Sequence, residues 1–101
     1  MLALPVAIPE EFLAKFCERN HICKLSLFGS VLTPRFRPES DVDMLVEFAP
    51  EHIPSFFTLA EMVIELSEKL GRKVDMRTPE DLSRYFRDEV VSSALLQYEQ
   101  R

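Results

Sequence analysis

The sequence predicts a two-layer domain of the α/β (α+β) type, helices packed on a small sheet, as one unit over residues 1–101. Three observations predict it. Two runs, Cys23–Phe28 and Val42–Phe48, have the length and nearly continuous apolar character of buried strands. Between Ser55 and Leu70, apolar residues recur at helical spacing instead. At 101 residues there is enough chain for one core and no room for a second lobe.

Taken in order, Ile8-Pro9-Glu10-Glu11-Phe12 reads as a helix start, with proline at the first helical position and acids in the first turn. Phe12, Leu13, Phe16 and Cys17 form its apolar stripe, and Asn20 is its expected end. The first strand follows from Cys23 to Phe28. Gly29 to Ser40 holds Pro34, Arg35, Arg37 and Pro38, and reads as a short helical turn and an exposed loop, because Pro34 cannot donate a helical hydrogen bond. The second strand is Val42–Phe48, and Ala49–Pro54 is a break. Ser55–Leu70 is the clearest helix: Phe56, Leu59, Ala60, Val63, Leu66 and Leu70 share one face, and Glu61, Glu65, Glu68 and Lys69 take the other. Glu65 and Lys69 are spaced as a favourable i,i+4 pair, and Gly71 closes the helix. Lys73–Arg77 makes a short third strand. Thr78-Pro79-Glu80-Asp81 has a helix-start pattern, and a last helix is expected from Asp88 to Tyr98.

Composition removes several classes of function. Twelve basic against seventeen acidic side chains give a net charge of −5, which argues against a protein that embraces nucleic acid. No run approaches the roughly 18–20 apolar residues of a membrane span. The opening stretch Met1–Pro9 is apolar but lacks a basic start and is broken by prolines, which suits an arm packed on the fold better than a secretory signal. Cys17 and Cys23 are therefore expected to be free, buried thiols in a reducing, cytoplasmic setting. His21 lies between them, but a zinc site needs four ligands and nothing nearby completes the set.

The chemistry-bearing stretch is Phe28-Gly29-Ser30, ten intervening residues, and Asp41-Val42-Asp43. Strand positions two apart point to one face with their roots roughly 6–7 Å apart, so Asp41 and Asp43 can flank a pair of divalent ions. Magnesium takes oxygen ligands and keeps several waters, so a few carboxylates and nucleotide phosphates suffice. Gly29 lets backbone approach a phosphate without a Cβ, and Ser30 can offer its hydroxyl and N–H. Asp75, on the third strand, would complete the cluster. Taken singly, an Asp-x-Asp or a Gly-Ser is more often a turn or surface feature, and Asp75 an edge-strand charge. Ser40 reads as a local turn residue, Glu47 as a strand-end surface acid on the Asp43 face, and Arg35, Arg37, Arg77, Arg84 and Arg87 as solvated. Tyr85 and Tyr98 read as core or rim aromatics.

Together, Gly29-Ser30, the spacer, Asp41-Val42-Asp43, the flanking strands and Val74-Asp75-Met76 resemble the nucleotidyltransferase superfamily that includes DNA polymerase beta. They look most like the minimal nucleotidyltransferases (MNT), antitoxin-type proteins that pair with HEPN-domain toxins, and the resemblance covers about the whole chain. It implies a small mixed sheet with helices on it, and magnesium-dependent transfer of AMP from ATP to a hydroxyl. It implies that Asp41, Asp43 and Asp75 hold two Mg²⁺ ions, with Asp75 also helping to deprotonate the acceptor, and that Gly29 and Ser30 bind the nucleotide. The implied partner is a HEPN toxin, inactivated by AMP on a tyrosine. Val31, Leu32, Thr33 and Pro34 depart from relatives that carry a glycine or a basic residue in this stretch. The competing expectation is an antitoxin that covers a basic RNase surface by binding alone.

Overall fold

Pro9, with no N–H to lose, precedes a helix whose first turn holds Glu10 and Glu11 near its positive end; this is α1, Glu10–Arg19. The computed structural model describes residues 6–100, and the remaining elements are β1 (Ile22–Phe28), β2 (Val42–Phe48), α2 (Phe56–Leu70), β3 (Val74–Arg77), α3 (Arg87–Ser93) and β4 (Leu95–Glu99). One-turn 3₁₀ helices stand at Gly29–Leu32, Pro50–His52 and Pro79–Asp81.

The strands form one sheet in the order β3-β2-β1-β4. β1 runs antiparallel to β2 and to β4, whereas β2 and β3 are parallel and joined through α2. Register assigns the faces. Leu25 and Leu27 lie opposite Val46 and Met44, and Met44 lies beside Met76, so these residues share a face with Val42 and Val74. Leu13, Phe16 and Cys17 of α1 and Met62 and Leu66 of α2 complete the core on that face. The other face carries Phe28, Asp43, Asp75 and Arg77.

Capping explains where α2 begins and ends. The Ser55 hydroxyl accepts the Thr58 N–H at 3.2 Å, and Gly71 takes the left-handed conformation (φ +66°) that a helix C-terminus favours. The Ser67 hydroxyl then accepts the Val74 N–H at 3.1 Å, tying the helix end to the start of β3. Thr78 donates its N–H and its hydroxyl to Asp81 Oδ2, both at 3.1 Å, but the helix begun there stops after one turn.

Three expectations are corrected. The last helix ends at Ser93, and Leu95–Glu99 is a strand on β1. Both edges of β1 are buried against neighbours, and without β4 one row of its peptide groups would lack partners, a cost that overrides local helical spacing. On α2 the buried residues are Met62 and Leu66, with Leu59, Val63 and Leu70 partly buried; Phe56 is 79% exposed and Ala60 is also on the surface. The helix's first turn overhangs the sheet. Glu65 pairs with Arg19 of α1, and Lys69 sits over the Phe12 ring at 5.2 Å, so the expected Glu65–Lys69 pair gives way to two links between the helices.

Of the N-terminal stretch, residues 1–5 lie outside the described residues, while Val6 is buried and Ile8 packs on the core. Cys17 and Cys23 are free, but only Cys17 is fully buried. Burial, and secondarily Glu18, pushes the Cys17 thiol up to about 12, so it is inert as a thiolate ligand. No helix among the described residues is long and apolar enough to cross a membrane.

Candidate active site

Phe28, the last residue of β1, pairs with Asp43 of β2, and Asp43 pairs in register with Asp75 of β3. Neighbouring strands stand about 4.8 Å apart, so the two carboxylates leave adjacent points of the same sheet face. Sheet pairing, rather than nearness in sequence, brings Asp75 to the Asp-x-Asp.

Gly29 follows Phe28 with φ +77°, in the left-handed region. A Cβ built on Gly29 would overlap the Asp43 carboxylate, so glycine is required both by conformation and by that close approach. From Gly29 the chain makes one 3₁₀ turn, Gly29–Leu32, which buries Val31. The turn ends where the Thr33 N–H and hydroxyl both donate to the Ser30 carbonyl at 2.9 Å. Ser30 is thus half-buried in the turn beside the acids, with its carbonyl turned into the loop.

Asp41 lies one residue before β2. The Val42 N–H donates to the Lys73 carbonyl at 2.8 Å, which fixes the backbone there. Lys73 Nζ stands 4.0 Å from Asp41 Oδ2, and Arg77 Nε donates to Asp75 Oδ2 at 3.3 Å. Asp43 has neither counter-charge at its carboxylate. Its burial, and then the nearby Asp75 and Asp41 charges, hold the carboxyl above the usual carboxylate range, with Arg77 opposing. Asp43 is therefore the acid most in need of a cation. Among the described residues no three His, Cys, Asp or Glu side chains close tightly enough to enclose an ion as they stand.

Gly29, Asp43 and Asp75 are thus brought together, with Ser30 and Asp41 adjoining. Glu47 is exposed four residues beyond Asp43 and lines a groove of about 390 Å³ with Phe48, Ile53, Leu59 and Glu80, at the opposite end of β2. It is not part of this site. The Ser40 hydroxyl accepts the Arg37 N–H at 3.0 Å, a local turn contact. Tyr98 packs against the core, whereas Tyr85 is 86% exposed beneath the Arg84 guanidinium. Lys73 and Arg77 were not legible as counter-charges, although strand alternation places Arg77 on the Asp75 face.

The chain matches the family described as "Nucleotidyltransferase domain" over residues 9–97. A Methanocaldococcus jannaschii relative named "Putative protein adenylyltransferase MJ1379" is 34% identical over 65 residues, 64% of this chain and 65% of the relative. The chain thus spans just under two thirds of that relative's length. A second from the same organism, "Putative protein adenylyltransferase MJ0435", is 30% identical over 77 residues, 76% of this chain and 81% of the relative. Two solved structures share the fold. A toxin–antitoxin complex with AMP-PNP has a TM-score of 0.72 at 21% identity, covering 93% of this chain and 76% of its own. A complex of a tri-AMPylated Shewanella oneidensis HEPN toxin with its MNT antitoxin has a TM-score of 0.64 at 22% identity, covering 90% and 70%.

Proposed function

Because the chain belongs to the nucleotidyltransferase domain family, we propose that it transfers AMP from ATP to a tyrosine hydroxyl of a HEPN-domain toxin and so acts as the antitoxin. The observation that carries this reading is the in-register pair Asp43 and Asp75 beside a glycine whose missing side chain leaves room at Asp43. The AMP-PNP in one solved neighbour and the tri-AMPylated toxin in another support the nucleotide and the partner.

The residues fit magnesium. The donors are hard carboxylate oxygens, and Asp43 is crowded by two other acids, an arrangement that a cation relieves. Asp41, Asp43 and Asp75 would hold two Mg²⁺ ions, which supply charge stabilisation for the phosphate oxygens. The peptide at Gly29 and the N–H and hydroxyl of Ser30 donate to the triphosphate. Asp75 accepts the proton of the acceptor hydroxyl as its oxygen bonds to the α-phosphorus, and the bond to pyrophosphate breaks. Lys73 and Arg77 hold Asp41 and Asp75 until then. On this reading the chain is a single catalytic domain, and its partner supplies the acceptor surface.

The test is intact mass of the co-expressed toxin after incubation with this protein, ATP and Mg²⁺, wild type beside Asp43→Asn. Increments of whole AMP units, absent with the variant, are the expected result. A tight complex with no increment would replace enzyme with binding module.

A further inference from the structure

The ten residues between Ser30 and Asp41 set where the first carboxylate stands relative to the phosphate-binding turn, yet they contain no strand and only the end of the Gly29–Leu32 turn. Phe36 alone of the loop's later residues packs on the core. The loop's other fastening comes from outside it. Arg72 Nη1 donates to the carbonyls of Arg37 at 3.2 Å and Pro38 at 3.3 Å. Its guanidinium carbon lies 4.6 Å from the centre of the Phe36 ring, so one side chain grips two successive peptides and covers the loop's aromatic anchor.

Arg72 is itself held firmly. It follows Gly71, the left-handed cap of α2, and its own N–H donates to the Ser67 carbonyl at 3.2 Å. The next residue, Lys73, takes the Val42 N–H on its carbonyl and faces Asp41 with its ammonium. Gly71-Arg72-Lys73 is thus the bed on which the end of the spacer lies, and α2's C-terminus transmits its position to Asp41.

We infer that Arg72 is a positioning residue of the nucleotidyl-transfer site, clamping the Thr33–Ser40 loop so that Asp41 stands at the right separation from the Gly29–Ser30 turn for the metal–nucleotide complex. This rests on the reading proposed above. Arg72 reaches exposed carbonyls that water can satisfy in its absence, so its loss frees the loop with little effect on the fold. Contacts that orient ligating carboxylates from outside the ligand set are worth 10–100-fold in metal affinity.

The experiment is a Mg²⁺ titration of the melting temperature at fixed AMP-PNP, with transfer to the toxin followed in parallel. Arg72→Met is expected to shift the Mg²⁺ midpoint upward by about 10-fold. Its melting temperature without Mg²⁺ and nucleotide should fall by no more than about 5 °C. Arg72→Lys, which keeps a cation and donors, should shift the midpoint in the same direction by less, and it serves if the methionine variant does not fold. Arg19→Met, which removes a helix–helix ion pair remote from the loop, should leave the midpoint unchanged. A wild-type midpoint in Arg72→Met or Arg72→Lys overturns the clamp, because a merely structural residue would lower the metal-free melting temperature and leave the midpoint in place. If the wild type shows no response to Mg²⁺ with AMP-PNP, the nucleotidyltransferase reading itself fails, and the clamp with it.

Discussion

Replacing Gly29 with alanine tests the site's central contact, and Gly71 supplies a matched control. Both glycines have positive φ, +77° and +66°, so alanine at either meets the left-handed penalty, about 1–2 kcal/mol. They differ in what the new methyl meets: at Gly29 it overlaps the Asp43 carboxylate, and at Gly71 it points into open space. To accommodate it, Asp43 must leave its rotamer, which adds about 0.5–1.5 kcal/mol. Gly29→Ala should therefore lose about 1.5–3.5 kcal/mol and Gly71→Ala about 1–2 kcal/mol in urea denaturation. Function should separate them further. A carboxylate displaced by about 1 Å costs on the order of 10²-fold in rate, so AMP transfer should collapse in Gly29→Ala and persist in Gly71→Ala when both are assayed well below their melting temperatures. Equal stability and equal transfer in the two variants would refute the Gly29–Asp43 contact.

Asp43 should also leave a signature in pH. Its carboxyl is raised above 3.8 in the folded chain, so the folded state holds this proton more tightly than the unfolded one. Its stabilising contribution is present below 3.8 and is lost as pH rises through the raised value. Asp43→Asn should flatten that part of the stability–pH curve, and identical slopes for variant and wild type would contradict the crowding at this acid. In the core, Phe16 is 1% exposed and stacks with Phe12 at 5.9 Å. Phe16→Ala should lose about 3–5 kcal/mol in urea denaturation, and a loss under about 1 kcal/mol would remove it from the core.

Much of the fold was legible because local signals agreed with distant ones. Val42–Phe48 is a strand with the boundaries its apolar run predicts, and α2 starts and stops at Ser55 and Gly71, whose chemistry marks helix ends. Leu95–Glu99 failed because its conformation is decided by β1, some seventy residues earlier, and Leu95, Leu96 and Tyr98 carry no local pattern that separates strand from helix. Phe56 failed for a related reason: periodicity assigns a face but cannot tell how far a helix extends beyond the sheet under it. At the site, Gly29, Asp41 and Asp43 could be read from spacing, but the Asp43–Asp75 pairing depends on the register of β2 with β3. The family and its fold follow the resemblance carried by Gly29-Ser30 and Asp41-Val42-Asp43. Arg72 gave no signal at all, since an arginine after a helix-capping glycine is unremarkable until the loop is seen lying across it.

The interval between Asp43 and Asp75 is a gauge built into the peptide backbone. Strand spacing is about 4.8 Å whatever side chains the strands carry, so core substitutions can loosen the sheet without rescaling that interval. What can destroy it is a slip. Moving β3 by one residue would set Val74 or Met76 beside Asp43 and turn Asp75 toward the helix-covered face. The Asp43–Asp75 interval therefore has two settings, in register and out of it, with no gradual change between them. A geometry secured in this way can outlast most of the residues around it, which accords with a fold still shared at 21% identity.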